Sequence, residues 1–127
     1  MLNVKLKKRL NMHPSPIEFL QHIQTELAYI LKYSQGVTYE EFLIHPFLSK
    51  AFIRSFEIIG EACKNVPDEL RYDHLEFDWR GFAGMRDKLI HHYWGVDNEL
   101  MWDAIQQEVS PNKEWIDIII EQELNKL

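Results

Sequence analysis

Apolar residues recur at steps of three and four through most of the sequence, which is the period of an α-helix. Between residues 16 and 34 the recurring positions are Phe19, Leu20, Ile23, Leu27, Ile30 and Leu31. Such positions share one helix face, which is buried when a neighbouring helix packs on it. No stretch alternates apolar and polar residues between turn signals, as a half-buried strand does. The sequence therefore predicts an all-α fold, a compact up-and-down bundle of five to six helices.

Capping residues indicate where the predicted helices begin. Ser15 and Pro16 suit the cap and first position of the first helix, and Thr38 with Glu41 forms a capping box for a short second one. Asp78 is the candidate cap of a later helix. Further helices are expected over about residues 46–64, 79–94, 98–108 and 110–124. Residues 66–78 are expected to form a connection with at most one turn.

Gly60 lies inside the predicted helix over residues 46–64. A glycine there costs about 1 kcal/mol relative to alanine. The glycine is therefore expected to have a packing role, allowing another helix to pass close to this point. Glu57 and Glu61 flank the glycine and are expected to be solvated or paired with Arg54 and Lys64.

Length and charge suggest one acidic domain preceded by a basic N-terminal extension. The 127 residues suffice for a single core, with residues 1–14 as a basic extension and residues 15–127 as the helical domain. The net charge is −6; Lys5, Lys7, Lys8 and Arg9 supply four positive charges, so residues 11–127 carry −10. An acidic body argues against indiscriminate nucleic-acid binding but permits a local phosphate-binding cleft.

The sequence carries no signal for membrane or export. No apolar run is long enough to cross a bilayer, and no secretory segment is visible, so we expect a cytoplasmic protein without membrane contact. The single cysteine, Cys63, excludes an internal disulfide and suits a reducing compartment. Its position near a helix end favours a packing role over that of a nucleophile.

Residues 78–97 hold an unusual density of polar groups with acid/base and anion-binding capacity. They are Arg86, Asp87, Lys88, His91, His92 and Tyr93. On one continuous helix Asp87 would reach His91 at the i, i+4 spacing and hold its tautomer. Arg86 and His91 would point about 140° apart at 100° per residue. One helix would then not bring them together, whereas two copies meeting across a dimer axis would. Gly81 and Gly84 would let a neighbouring backbone approach.

Arg86, His91 and Tyr93 spell the motif R-x4-H-x-Y, and its surroundings extend the pattern. Those surroundings are Ile59–Ala62, Trp79-Arg80, Tyr93–Asp97 and Trp102. Over about residues 16–124 the sequence resembles the HEPN superfamily, in particular its HepT-like toxin branch. The resemblance implies a homodimeric, metal-independent endoribonuclease toxin that uses no cofactor and cleaves an RNA substrate. It also implies a partner, an MNT-type nucleotidyltransferase that acts as antitoxin.

The resemblance assigns roles to the motif residues. Arg86 and His91, with Asp87 beside them, are the implied catalytic residues, and Tyr93 is the implied site of adenylation (AMPylation) by the antitoxin. His92 and Lys88 are accessory candidates, although the position of His92 on the helix favours a structural role. A metal site is not expected, because adjacent residues such as His91 and His92 diverge on a helix. The alternative function is a non-catalytic helical subunit that binds substrate for, or regulates, a small nucleotidyltransferase.

Overall fold

The computed structural model describes residues 14–91 and 95–127, which form seven helices and a short two-stranded ribbon. The first four helices are α1 (Pro16–Ser34), α2 (Tyr39–Ile44), α3 (Leu48–Asn65) and α4 (Asp68–Asp73). They are followed by α5 (Trp79–Leu89), β1 (Ile90–His91), β2 (Gly95–Val96), α6 (Asn98–Gln107) and α7 (Val109–Asn125). The basic extension predicted over residues 1–14 lies almost wholly outside the described residues.

The core is built mainly from the three long helices and α5. Helix α3 packs against α1 on one side and α5 on the other, and α1 also packs against α7. Their apolar faces enclose a set of fully buried side chains that includes Leu20, Ile23, Leu27, Phe52, Phe56, Ile59 and Phe82. The all-α prediction is thus confirmed. The helix count exceeds the predicted five to six because residues 68–73 form a helix where only a turn was expected.

Two predicted caps and one predicted close approach are present. Ser15 accepts a hydrogen bond from the backbone N–H of Glu18, and Thr38 and Glu41 make both bonds of a capping box. A Cβ atom added at Gly60 would lie 2.8 Å from the backbone oxygen of Phe82. The missing side chain at Gly60 therefore lets α3 and α5 approach each other closely.

The helix predicted over residues 79–94 is shorter than expected, since α5 ends at Leu89. Ile90 has extended backbone angles, and β1 pairs antiparallel with β2, Ile90 opposite Val96 and His91 opposite Gly95. Gly95 has a φ of 116°, which glycine adopts far more readily than other residues. The prediction of one continuous helix through residue 94 was wrong. Consequently the 140° separation of Arg86 and His91 does not apply.

A buried polar pair ties the segment before α5 to the last helix. Nε2 of His74 lies 2.8 Å from Oε2 of Glu123 on α7, and the indole N–H of Trp79 donates to the backbone oxygen of His74. Burial acts to raise the pKa of Glu123, but hydrogen bonds from Lys126 and His74 outweigh it and lower that pKa below its ordinary value. The folded state therefore favours the ionised carboxyl.

Replacing Glu123 with glutamine is expected to lower the free energy of unfolding at pH 7 by about 1–3 kcal/mol, because a charged acceptor is lost from a mostly buried site. A carboxyl with a lowered folded-state pKa stabilises the fold above its unfolded-state pKa, ordinarily 4.5. That contribution disappears as the pH falls through the lower folded-state value. Urea denaturation from pH 7 to pH 3 should show the gap between wild type and Glu123→Gln narrowing below about pH 4.5. Glu121→Gln, at an exposed position on the same helix, should show neither effect.

Candidate active site

Arg86 lies in the last turn of α5 and lines a cleft between α5 and α3. The cleft has a volume of about 180 Å³, and α3 lines it with Arg54, Glu57, Glu61 and Lys64 around Gly60. These residues recur at the helical spacing that places them on one face with the glycine. The close approach at Gly60 therefore also sets how near the α3 side chains are to Arg86.

The guanidinium of Arg86 is available to an external anion. It is exposed, and in the described part of the chain it makes no ion pair or hydrogen bond. Glu57, which lines the same cleft, pairs with Arg54 at 3.6 Å, as predicted from their spacing. An unpaired guanidinium beside a cleft can bind phosphate through two parallel N–H···O bonds.

Lys88 does not share the cleft that Arg86 lines. Its side chain lines a separate cleft of about 260 Å³ between α5 and α6, together with Leu100 and Asp103. Asp87 is exposed, and the predicted i, i+4 helical relation to His91 is absent because the helix ends at Leu89. The structure therefore separates Lys88 from Arg86, although both lie in the same helical turn.

The two glycines of α5 have different surroundings. Asp78 caps the helix by accepting a hydrogen bond from the N–H of Gly81 at 3.0 Å, which confirms the predicted cap. The space that a Gly81 side chain would need is taken by the Asp78 carboxylate. Among the described residues, a Cβ at Gly84 would meet only Cε of Lys88, at 3.9 Å. Of the two, only Gly84 leaves room for a neighbour.

The remaining motif residues follow α5 directly. His91 is the second residue of β1, and its backbone is held in register with Gly95. The N–H of Asp97 donates to the backbone oxygen of Leu89 at 2.6 Å, which fixes the base of this ribbon at the end of α5. His92 and Tyr93 lie outside the described residues. The catalytic roles of Arg86, His91 and Asp87, and the modification of Tyr93, stay predictions.

Cys63 is buried in α3, and burial raises the pKa of its thiol to about 12. Because the thiolate is the reactive form, the folded protein should react with a disulfide reagent at pH 8 at least about a hundredfold more slowly than an exposed thiol. The same reagent should modify one thiol per chain at once in denaturant. Rapid reaction of the folded protein, measured by absorbance of the released thiolate, would argue against this buried, unreactive cysteine.

The described residues show neither a membrane-spanning helix nor a cluster of metal ligands. In residues 14–91 and 95–127, no helix combines the length and apolar character needed to span a bilayer. The same residues contain no cluster of three or more His, Cys, Asp or Glu side chains placed to hold a metal ion. The expectation of a metal-independent reaction continues to rest on the resemblance.

Comparison with known proteins decides the family. A family model described as ribonuclease HepT-like matches residues 23–119, which include α5, the cleft and the R-x4-H-x-Y motif. The chain belongs to the HepT-like ribonuclease family. This membership places the protein among enzymes of the ribonuclease class. No solved structure matches the chain at a significant level.

Several relatives of the HepT-like family align along most of the chain. A protein of Caldanaerobacter subterraneus subsp. tengcongensis, named as a candidate RNase, is 40% identical over 109 residues, covering 86% of this chain and 97% of its own. A Methanocaldococcus jannaschii protein with a similar name is 39% identical, covering 80% and 84%. A Thermococcus cleftensis protein, named as a candidate ribonuclease HepT, is 38% identical, covering 77% and 89%.

Sequence reasoning missed the contribution of α3 to this HepT-like cleft. Arg54 and Lys64 were interpreted only as ion-pair partners on a solvated helix face. The available signal was their spacing, which places both on the face that carries Gly60. A glycine at a close helix contact, flanked by charged residues on the same face, predicts a charged cleft beside that contact.

Proposed function

We propose that this HepT-like protein is a metal-independent endoribonuclease toxin, with Arg86 and His91 as its catalytic residues. The observation that carries the proposal is the Arg86 guanidinium at the α3–α5 cleft, which has no ion pair within residues 14–91 and 95–127 and lies five residues before His91. Membership of a ribonuclease family supports the RNA substrate. In an acidic chain, a free cation at a cleft is the kind of local phosphate site that the net charge permits.

The reaction needs only a base, an acid and a stabilising cation. His91 removes the proton from a ribose 2′-OH, and the 2′-oxygen attacks the adjacent phosphorus. The bond from phosphorus to the 5′-oxygen breaks, and that oxygen takes a proton from the second His91 of a dimer or from His92. Arg86 binds the phosphate and stabilises the negative charge that develops on it. The products are a 2′,3′-cyclic phosphate and a 5′-hydroxyl.

A homodimer would supply the second histidine. The resemblance implies that Arg86 and His91 of two subunits share one cleft. The open space at Gly84, on the same helix as Arg86, is consistent with a neighbour approaching there. Light scattering is expected to give twice the mass of the 15.2 kDa chain, and the mass of a single chain would contradict the dimer.

The proposed regulator is an MNT-type nucleotidyltransferase antitoxin. Transfer of an adenylyl group from a nucleoside triphosphate to the Tyr93 hydroxyl would release pyrophosphate and leave an anion on the motif. Such a group would compete with RNA phosphate for Arg86 and block its cleft. Co-expression with a nucleotidyltransferase from the adjacent gene, followed by peptide mass spectrometry, should show one added adenylate on Tyr93. Full inhibition without that mass would contradict this mode of regulation.

The second candidate function is a non-catalytic subunit that binds substrate for a small nucleotidyltransferase. The net charge of −6 favours it, since most of the surface repels RNA. The two functions differ in the chemistry that purified protein performs alone.

End-group analysis tests the proposed reaction. RNA incubated with the protein in EDTA should yield fragments with 2′,3′-cyclic phosphate and 5′-hydroxyl ends, and an RNA with a 2′-deoxynucleotide at the cut position should resist cleavage there. Fragments with 3′-hydroxyl and 5′-phosphate ends would contradict attack by the 2′-OH. The absence of fragments would favour the non-catalytic subunit.

A further inference from the structure

We propose that the cleft between α4 and α5 is a binding subsite for single-stranded RNA, in which Tyr72 stacks on an unpaired base and Arg80 binds a phosphate. The inference rests on the proposed ribonuclease function, since it assigns a second part of the substrate. This α4–α5 cleft is distinct from the α3–α5 cleft that Arg86 lines. It has a volume of about 530 Å³.

The two clefts share one lining residue. Ala83 lines both of them, with Arg80 in the α4–α5 cleft and Arg86 in the α3–α5 cleft. The six-residue step from Arg80 to Arg86 rises about 9 Å along the helix axis, and the two side chains leave α5 about 120° apart, with Ala83 midway between them. A strand bound at Arg86 would cross Ala83 and follow the surface of α5 to Arg80. The two guanidinium groups would therefore bind phosphates of different nucleotides.

Half of the basic residues in the described part of the chain line these two clefts. The sequence has 14 lysines and arginines, four of which precede the described residues, and five of the other ten line the two clefts. Two of those five are neutralised locally, Arg54 by Glu57 and Arg71 by Asp68. In the described part of the chain Lys64, Arg80 and Arg86 have no ion pair. Four carboxylates line the same clefts, those of Glu57, Glu61, Asp68 and Asp78, so the five cations leave a lining charge of +1, against −6 for the whole chain. The clefts therefore repel a polyanion less than the acidic body does.

An aromatic ring stands at the same cleft. Tyr72 is 75% exposed, and its ring contacts no other aromatic ring of the described residues. Leu75, 71% exposed, gives the cleft a second apolar edge. An exposed aromatic side chain beside a cationic groove is the arrangement that binds single strands, because any unpaired base can stack on it. Bases inside a duplex are already stacked and cannot reach the ring, so the favoured ligand is single-stranded.

Packing of α4 on the core positions Tyr72 and the nearby Leu75. Leu70 is buried and fixes the helix on the core, so that Tyr72 and Leu75 face outward beyond it. The indole of Trp79 donates to the His74 backbone at 2.7 Å, which holds the chain between α4 and α5. The wall of the cleft is therefore anchored to the core on both sides of Tyr72.

The test measures binding without cleavage. A fluorescein-labelled single-stranded RNA of 2′-O-methyl nucleotides, which has no 2′-OH to attack, is titrated with the full chain and followed by anisotropy in EDTA. Tyr72→Ala is expected to raise Kd by about tenfold through loss of stacking, whereas Tyr72→Phe should bind like wild type. Arg80→Ala should weaken binding. It should also reduce the slope of log Kd against log salt by about 1, the change expected when one phosphate contact is lost.

Matched controls lie outside both clefts. Tyr33→Ala removes another exposed tyrosine on α1, and Lys50→Ala removes another exposed cation on α3; neither should change Kd. Circular dichroism should show all variants folded, because the replaced side chains are exposed. An unlabelled RNA duplex of the same length should compete poorly with the single strand.

Two results would overturn the subsite. If Tyr72→Ala and Arg80→Ala both bind RNA with the wild-type Kd, the cleft does not bind RNA, and a protein partner becomes its remaining candidate ligand. Equal losses in Tyr72→Ala and Tyr72→Phe would rule out stacking. These outcomes are independent of cleavage by the wild type: a protein that cleaves RNA but binds it equally well with and without Tyr72 keeps the proposed function and loses this subsite.

Discussion

Replacing Arg86 with alanine should lower the catalytic efficiency of RNA cleavage by about 10²–10³-fold, the usual cost of removing one preorganised donor to a developing anion. The guanidinium is exposed and unpaired in the described part of the chain, so its loss breaks no internal contact. The melting temperature should therefore stay at the wild-type value. The measurement is kcat/KM on an end-labelled single-stranded RNA in EDTA, with the two proteins at equal concentration.

Two further variants test whether Arg86 acts through its planar pair of donors or only through its positive charge. Arg86→Lys keeps the positive charge but loses the planar pair of donors, and its rate should fall between those of wild type and Arg86→Ala. Lys50→Ala removes one exposed cation from α3 away from the clefts and should leave the rate unchanged. Cleavage by Arg86→Ala at the wild-type rate would show that this residue is not part of the active site.

Replacing Gly60 with valine should destabilise the fold by about 3 kcal/mol or more. The first added carbon alone would lie 2.8 Å from the Phe82 backbone oxygen, so α3 and α5 must separate. Overpacking of this kind typically costs about 1–3 kcal/mol, and the branched side chain adds two more methyl groups. Gly60→Ala should destabilise less, because alanine recovers about 1 kcal/mol of helix propensity. Urea denaturation monitored by circular dichroism gives these free energies.

Gly84→Ala is the matched control for Gly60. It makes the same replacement in a helix that contacts α3, but its added carbon meets only Lys88, at 3.9 Å. It should stabilise the monomer by up to about 1 kcal/mol through helix propensity alone. Equal stabilisation by Gly60→Ala and Gly84→Ala would contradict a close helix contact at Gly60.

Local sequence signals predicted much of the fold. Ser15, Thr38 and Asp78 were expected to cap helices, and each accepts the expected backbone hydrogen bond. Gly60 was expected at a close helix contact because a buried glycine inside a helix needs a packing reason. These features depend on residues within a few positions of each other or on the cost of one side chain, so the sequence contains the necessary information.

The end of α5 could not be predicted in the same way. The apolar spacing of Leu89 and Tyr93 continues the helical period, and no proline or glycine interrupts it before Gly95. After Leu89 the chain forms a local hairpin, in which Ile90 and His91 pair with Gly95 and Val96. Likewise α4 is too short for its period to be distinguished from that of a turn. In both elements the residue types alone did not distinguish the observed backbone from its alternative.

In the candidate site, too, some features could be predicted from the sequence and others depend on helix packing. The motif and its dense polar surroundings predicted Arg86 as a site residue, whereas the cleft that it lines depends on how α3 crosses α5. The sharing of Ala83 between two clefts, and the separation of Lys88 from Arg86, follow from packing around α5. Residue identity predicted the chemistry, and helix packing determined which residues share a cleft.

The most direct test is a time course of RNA cleavage in EDTA by purified wild type and by His91→Ala, prepared identically. Wild type should fragment the RNA without a divalent metal. His91→Ala should be slower by about 10²–10⁴-fold, the usual cost of losing a general base. Equal cleavage by both preparations, or none by either, would contradict a HepT-like ribonuclease that acts through His91.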